Sequence, residues 1–388
     1  MTIGLSDLDT PAVVVDLDRL ERNLERMAEY AARHELALRP HVKTHKSPRI
    51  AAEQLDRGAH GLTCATAREA EVMAELCDDL LVAYPPVRPQ TAERLVSLPE
   101  HVRLSVMLDS PQALRAIGEA ARSAGRTVGV LVELDVGMRR VGVPDAAAAI
   151  SLARQVTAEE GLEYLGIGFY PGHIRAPVRD QTPEIRQLSE RLQATVEAMT
   201  AAGVPPRVVS GGSTPTAWQT HELAGVTEMR PGTYVYNDRT TAVIGACAFE
   251  DCALTVLATV VSTAVHGQAV IDAGSKALAR EPLRGSGEDG YGVLLDRHGA
   301  VVARMSEEHG IVDLAATDWR PEVGELVRVV PNHVCPVVHL NDVVYGIRGD
   351  RVVAVWRVAA RGRENNRYLP DVSGPELAAD LPMVSEGV

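Results

Sequence analysis

The sequence predicts a (β/α)8 barrel followed by a C-terminal all-β domain. Eight strand-like apolar runs alternate with helix-like, Ala- and Glu-rich segments over about 210 residues, the repeat that such a barrel needs. After about Thr240 the texture changes to β-branched runs joined by Gly, Asp and Asn, which reads as a small barrel or sandwich. The 388 residues, 46% apolar and 23% charged, are ample for two parts of this size. We place the barrel at 1–245 and the β domain at 246–388. An open doubly wound sheet is the alternative for the first part, because strand order is not written in one sequence. No GxGxxG opens the first βα turn, which weakens a dinucleotide-binding reading.

The elements follow in order. Residues 16–33 put Leu17, Leu20, Leu24 and Met27 on one helical face. LALRPHVK (36–43) is the first strand-like run, and SPRIAAEQLDRG then starts a helix with Ser47 as N-cap and Pro48 at its first position. Strand-like runs recur at 61–65, 80–84, 103–108, 128–135, 165–170, 207–212 and 227–232. In the β domain the runs are ALTVLATVVST, QAVIDAGS, VVARM, ELVRVV, VVHL and RVVAVWRV, with GSGEDGYG (285–292) as a loop.

Composition excludes some functions. Lys plus Arg is 39 against 52 for Asp plus Glu, a net charge of −13 that argues against nucleic acid and anionic membrane surfaces as partners. No apolar run approaches the ~18 residues of a membrane span, and the N-terminus has no basic leader-like region, so a cytoplasmic location is expected. Five cysteines, odd in number and spread out, do not form a disulfide framework. Cys64, Cys77, Cys247 and Cys252 read as core filler.

In such a barrel the active site gathers at the C-terminal strand ends. The first run ends RPHVKTHKS, and on a strand Arg39, His41 and Lys43 share a face. An amine buried there is driven towards its neutral, nucleophilic form. The plain alternative is that Lys43 and Lys46 are solvated turn residues. The fifth run delivers Asp135 and Arg140, and the sixth Tyr170 and His173. The seventh ends in Ser210, Gly211, Gly212, Ser213 and Thr214, donors suited to a phosphate or to an ordinary Gly-rich turn. The eighth adds Gly232, Thr233, Tyr234, Tyr236 and Asp238. In the β domain, His333 and Cys335 point the same way on an extended chain and are natural zinc ligands, or else a structural His beside a small apolar thiol. His339 joins that face if the strand is regular, which Pro336 opposes. His309 reads as part of a solvated loop.

Taken together, RPHVKTHK, YPGH, SGGSTPT, RPGTYVYND and PNHVCPVV resemble the D-threonine aldolase and D-serine dehydratase family. These are fold-type III pyridoxal-phosphate (PLP) enzymes related to alanine racemase. The resemblance implies a barrel that holds PLP and a β domain that closes the site, commonly in a homodimer. Lys43 would carry the cofactor, with Lys46 the second choice. Arg140 and His41 would lie near it, and Tyr170 and His173 would border its ring and the substrate. Residues 210–214 and the Gly232–Thr233–Tyr234 turn would hold the phosphate. His333 and Cys335 would bind a divalent metal, Zn, Mn or Mg. In relatives, aldolases carry H-x-D at the metal pair and dehydratases H-x-C, so Cys335 is the zinc-like choice. The remaining motifs resemble the aldolase-like branch, and His339 stands where relatives often show Asn.

The implied activity is a PLP- and metal-dependent lyase acting on a small β-hydroxy-D-amino acid, with retro-aldol cleavage to glycine and an aldehyde and His173 as base. The alternatives are β-elimination as in D-serine dehydratase, racemisation, and non-catalytic PLP binding.

Overall fold

The computed structural model describes residues 3–284 and 289–362. Residues 285–288 of the expected loop and 363–388 of the expected β domain lie outside the described residues.

The first strand, β1 (Ala12–Asp16), leads directly into the amphipathic helix α1 (Leu17–Arg33). Leu17, Leu20, Leu24 and Met27 are buried along it, as their spacing requires. Eight parallel strands come next: β2 (Ala37–Leu38), β3 (Leu62–Cys64), β4 (Asp79–Val82), β5 (Arg103–Leu108), β6 (Val128–Leu134), β7 (Leu162–Phe169), β8 (Val208–Gly211) and β9 (Glu228–Met229). They pair in chain order, with β2 beside β9 and β3 at the far end. A parallel bridge between His41 and Thr63 joins β2 to β3. The sheet is therefore a closed barrel, and the doubly wound alternative is excluded.

Strands buried on both sides explain the near-continuous apolar runs; every residue of Val128–Leu134 is buried. Side chains of Thr66, Ser110 and Asp145 cap the helices that follow β3, β5 and β6, each accepting an amide proton three residues on.

Two local expectations are corrected. The regular strand of the first run covers only Ala37–Leu38, although the Arg39 and His41 amides still bond the Met229 and Pro231 carbonyls at 2.9 and 3.0 Å. Lys43 thus lies in the 3-10 turn Val42–Thr44, not on a strand face with Arg39 and His41. A helix does begin at Pro48, but the buried Ser47 Oγ has no hydrogen-bond partner and makes no side-chain cap.

The second sheet holds β1 together with β10 (Leu254–Ser262), β11 (Gln268–Ile271), β12 (Gly292–Leu294), β13 (Val301–Met305), β14 (Gly310–Asp313), β15 (Leu326–Pro331), β16 (Val343–Arg348) and β17 (Arg351–Arg357). All of its pairings are antiparallel except β1 with β16. Because β10 pairs with both β15 and β11, the strands β10, β11, β14, β13, β12 and β15 close a small β-barrel.

VVHL is a further correction. Val334–Leu340 is a helix with His333 as its extended N-cap residue, and Pro336 is tolerated in its first turn. His339 therefore lies in the last helical turn. His309 sits in the exposed turn between β13 and β14.

The compact units do not follow a linear division at 245/246. One contains Leu24–Lys43 and Pro48–Gly232. The other contains the N-terminal residues through Asn23, Thr44–Ser47, and the described residues from Thr233 on. The reason is β1, whose partners are β10 and β16. Among the described residues, no helix is long and apolar enough to cross a membrane. All five cysteines are free thiols.

Candidate active site

Within the parallel barrel, two predicted residues converge on the ring of a third. The Lys43 Nζ lies 5.7 Å from the centroid of the Tyr170 ring, and the Arg140 guanidinium lies 4.9 Å from the same centroid. Tyr170 follows β7 directly, and Arg140 sits on the segment after β6. That segment is pinned by Asp135, whose Oδ1 accepts the amide protons of Gly137 (3.1 Å) and Arg139 (2.9 Å). Burial opposes ionisation of Asp135, but those two amides, with Arg191 and His173, hold its carboxyl below the usual range. His173 is exposed and packs over Gly137. A Cβ at Gly137 would stand 2.9 Å from His173 Nε2, and the φ of +127° there also favours glycine. His41 is half-buried beside Lys43's turn, with its amide bonded to the Pro231 carbonyl at 3.0 Å.

The seventh strand end divides. Ser210 donates to Glu228 Oε1 and accepts from Arg230 Nη1, each at 2.5 Å, inside the barrel. Its hydroxyl is engaged there, which corrects its assignment as a phosphate donor. Gly211 closes β8 against Phe169; a Cβ would stand 2.2 Å from that ring. Ser213 precedes the nine-residue 3-10 helix Thr214–Glu222, and its Oγ lies 3.1 Å from Thr216 Oγ1. Amides at the start of a helix suit an anion.

In the other unit, Thr233–Val235 forms a 3-10 turn with Tyr234 buried. The Lys46 carbonyl accepts the Ala360 amide proton, and Lys46 is buried. This unit also holds the metal pair. His333 Nδ1 lies 3.1 Å from Asp238 Oδ2, and the Cys335 thiol donates to Thr44 Oγ1 at 3.4 Å. Asp238 is 1% exposed, and its Oδ1 also accepts the Thr241 amide proton at 2.9 Å. Burial alone would lower the His333 pKa, but the Cys335 sulfur and the Asp238 carboxylate outweigh it and push it up to about 11. Tyr236 Oη is buried without a hydrogen-bond partner; its pKa is raised first by burial and then by Cys335.

Two domain profiles match the chain. The alanine racemase N-terminal domain profile covers residues 15–240, and the serine dehydratase domain profile covers 253–347. Over 365 residues the chain is 33% identical to D-threonine aldolase of Arthrobacter sp., covering 92% of this chain and 94% of that one. The chain belongs to the D-threonine aldolase and D-serine dehydratase family. Another relative, D-threo-3-hydroxyaspartate dehydratase of Delftia sp. (strain HT23), is 37% identical over 374 residues, 91% of this chain and 97% of its own. A solved mutant of a D-threo-3-hydroxyaspartate dehydratase in the metal-free form superposes with a TM-score of 0.84 at 33% identity, covering 92% of this chain and 98% of that one.

Enzymes of the aldolase–dehydratase family use PLP, and the residues present fit it. The barrel unit offers an amine, an aromatic face, a guanidinium and a glycine turn that leads into a helix start. A metal is fitted less completely. Among the described residues, no group of three or more His, Cys, Asp or Glu side chains could hold a metal ion. Even so, a histidine oriented by a buried carboxylate, a thiol and an orphaned phenol form a donor set that suits a partly open site. Asp238, which the sequence marked only as a polar strand-end residue, is the orienting group. Its signal was the RPGTYVYND motif, but its partner lies 95 positions away.

Proposed function

We propose that the protein is a PLP- and divalent-metal-dependent lyase that cleaves β-hydroxy-D-amino acids to glycine and an aldehyde. The observation that carries this reading is the convergence of the Lys43 amine and the Arg140 guanidinium on the Tyr170 ring. When bound, PLP supplies an electron sink for charge developing at Cα, and the divalent cation supplies a Lewis acid for the β-hydroxyl. Lys43 would hold the cofactor through its amine, with Arg140, Tyr170 and His41 beside it. The amides of Gly211, Gly212, Ser213 and Thr214 and the Gly232–Tyr234 turn would hold the phosphate. His333 and Cys335 would bind the metal, the thiolate favouring zinc. His173 is exposed, beside Asp135, and would take the β-hydroxyl proton as the Cα–Cβ bond breaks. Thr44, whose hydroxyl accepts the Cys335 hydrogen bond, is the next residue after Lys43.

A second reading, β-elimination to a 2-oxo acid and ammonia, is favoured by Cys335 at the metal pair. D-Threonine separates the two. Glycine with acetaldehyde marks the aldolase, 2-oxobutanoate with ammonia marks the dehydratase, and neither product from PLP- and metal-loaded protein overturns the lyase reading. A homodimer in the cytoplasm completes the proposal, and light scattering of the purified protein tests the dimer.

A further inference from the structure

The segment that carries Arg140 runs from Asp135, just past β6, to Pro144, shortly before the helix Ala146–Ala158. Arg140 is exposed, so its place 4.9 Å from the Tyr170 ring centroid is set by the backbone beneath it rather than by packing. That backbone is strained. Arg139, the residue immediately before, adopts a left-handed φ of +52°. A side chain disfavours this conformation, which persists only where surrounding contacts hold it.

Three sets of hydrogen bonds do so. At the neck, the Asp135 amide donates to the Val143 carbonyl at 3.0 Å and the Val143 amide to the Glu133 carbonyl at 2.8 Å. Within the segment, Asp135 Oδ1 accepts the Gly137 and Arg139 amide protons. Asp109, directly after β5, accepts the Gly142 amide proton on its Oδ2 at 2.9 Å. The third set comes from outside. Arg191, on the helix Thr182–Ala201, donates from Nη2 to the Asp135 carbonyl at 2.5 Å and to the Pro144 carbonyl at 2.9 Å. One guanidinium nitrogen therefore spends both of its N–H groups bridging the two ends of the segment. Asp135 is held at once by its amide, its carboxylate and its carbonyl. Bonds from a charged donor are the stronger kind.

We propose that Arg191 is a positioning residue: by bridging the Asp135 and Pro144 carbonyls it clamps the neck of this segment and fixes Arg140 over the Tyr170 ring. The clamp stands on hydrogen-bond geometry; its consequence for cofactor binding rests on the PLP reading. Amide hydrogen exchange of residues 135–144 in cofactor-free protein, followed by mass spectrometry, tests the clamp. In Arg191→Gln, which removes the charged donor, these amides should exchange about tenfold faster or more. Arg191→Lys, which keeps a charged donor, should recover most of the protection. Unchanged exchange in Arg191→Gln overturns the clamp.

The link to Arg140 has its own test, a cycle of PLP titrations followed by visible absorbance. Arg191→Gln should weaken PLP binding roughly tenfold in the wild-type background and no further in an Arg140→Gln background. An arginine that only stabilised the fold would act equally in both backgrounds, so equal weakening overturns the action through Arg140. A wild-type protein that gives no visible band with PLP overturns the PLP reading, while hydrogen exchange still decides the clamp. If Arg191→Gln fails to fold, Arg191→Met, which keeps the apolar stem and removes the donors, goes through the same two measurements.

Discussion

Asp238 Oδ2 lies 3.1 Å from His333 Nδ1, so a buried carboxylate fixes the imidazole and leaves its other nitrogen for a ligand. Carboxylate–histidine–metal pairs of this kind raise ligand basicity and orient the ring. Asp238→Asn should lower zinc affinity about 10- to 100-fold. Titration against a competing chelator measures this, and unchanged affinity would remove Asp238 from the metal site.

The pH dependence follows from His333. Its folded pKa is raised to about 11, well above that of a free imidazole. In metal-free protein, its stabilising contribution is present in full below the unfolded pKa and is lost as pH rises towards the folded one. Metal binding must displace that proton and the Cys335 thiol proton, so zinc affinity should rise at least tenfold per pH unit through neutral pH. A flat affinity profile from about pH 6.5 to about pH 9 would show that His333 binds no metal.

Lys43 is half-buried in a 3-10 turn, its Nζ 5.7 Å from the Tyr170 ring centroid. Lys43→Ala should abolish the visible absorbance of PLP-treated protein and its turnover, while the thermal midpoint of the cofactor-free form shifts little. An unchanged spectrum would sink the Lys43 assignment.

Gly137→Ala places a Cβ against the His173 ring in a left-handed backbone conformation. Displacing a catalytic group by about 1 Å costs on the order of 100-fold. The fall should appear in kcat more than in KM, and a wild-type kcat would remove His173 from the base role.

Arg39 bridges two buried carboxylates, Glu228 and Asp79, at 2.6 Å each. Burial works against its charge, but Glu228 and Asp79 raise the guanidinium pKa overall. Arg39→Met would leave buried Glu228 with only the Ser210 hydroxyl and Asp79 with only Arg103 among strong partners, a loss of roughly 3–5 kcal/mol. Denaturant unfolding reads this directly, and a change under about 1 kcal/mol would contradict the ion network.

The cluster around Tyr170 was legible because strand ends carry their chemistry in short motifs. FYPGH supplied the Tyr170 ring, and RPHVKTHK and VGMRR each supplied a residue that lies over it. Ser210 misled because its neighbours are glycines and hydroxyls, whereas its actual partners, Glu228 and Arg230, lie on the next strand. HVC misled because apolar β-branched residues do not separate a short helix from a strand.

Local periodicity by itself determined eight β/α repeats, a change to β-rich chain after about Thr240, and the polar residues that end each run. Those features depend on side chains a few positions apart, where sterics and hydrogen bonding act without knowledge of the rest of the chain. Tertiary structure alone decided that His41 bridges to Thr63 and closes the barrel, and that β1 pairs with β10. It also decided that Asp238 orients His333. These are contacts between segments distant in sequence, and they form because burial leaves their backbone and charged groups no water to pair with.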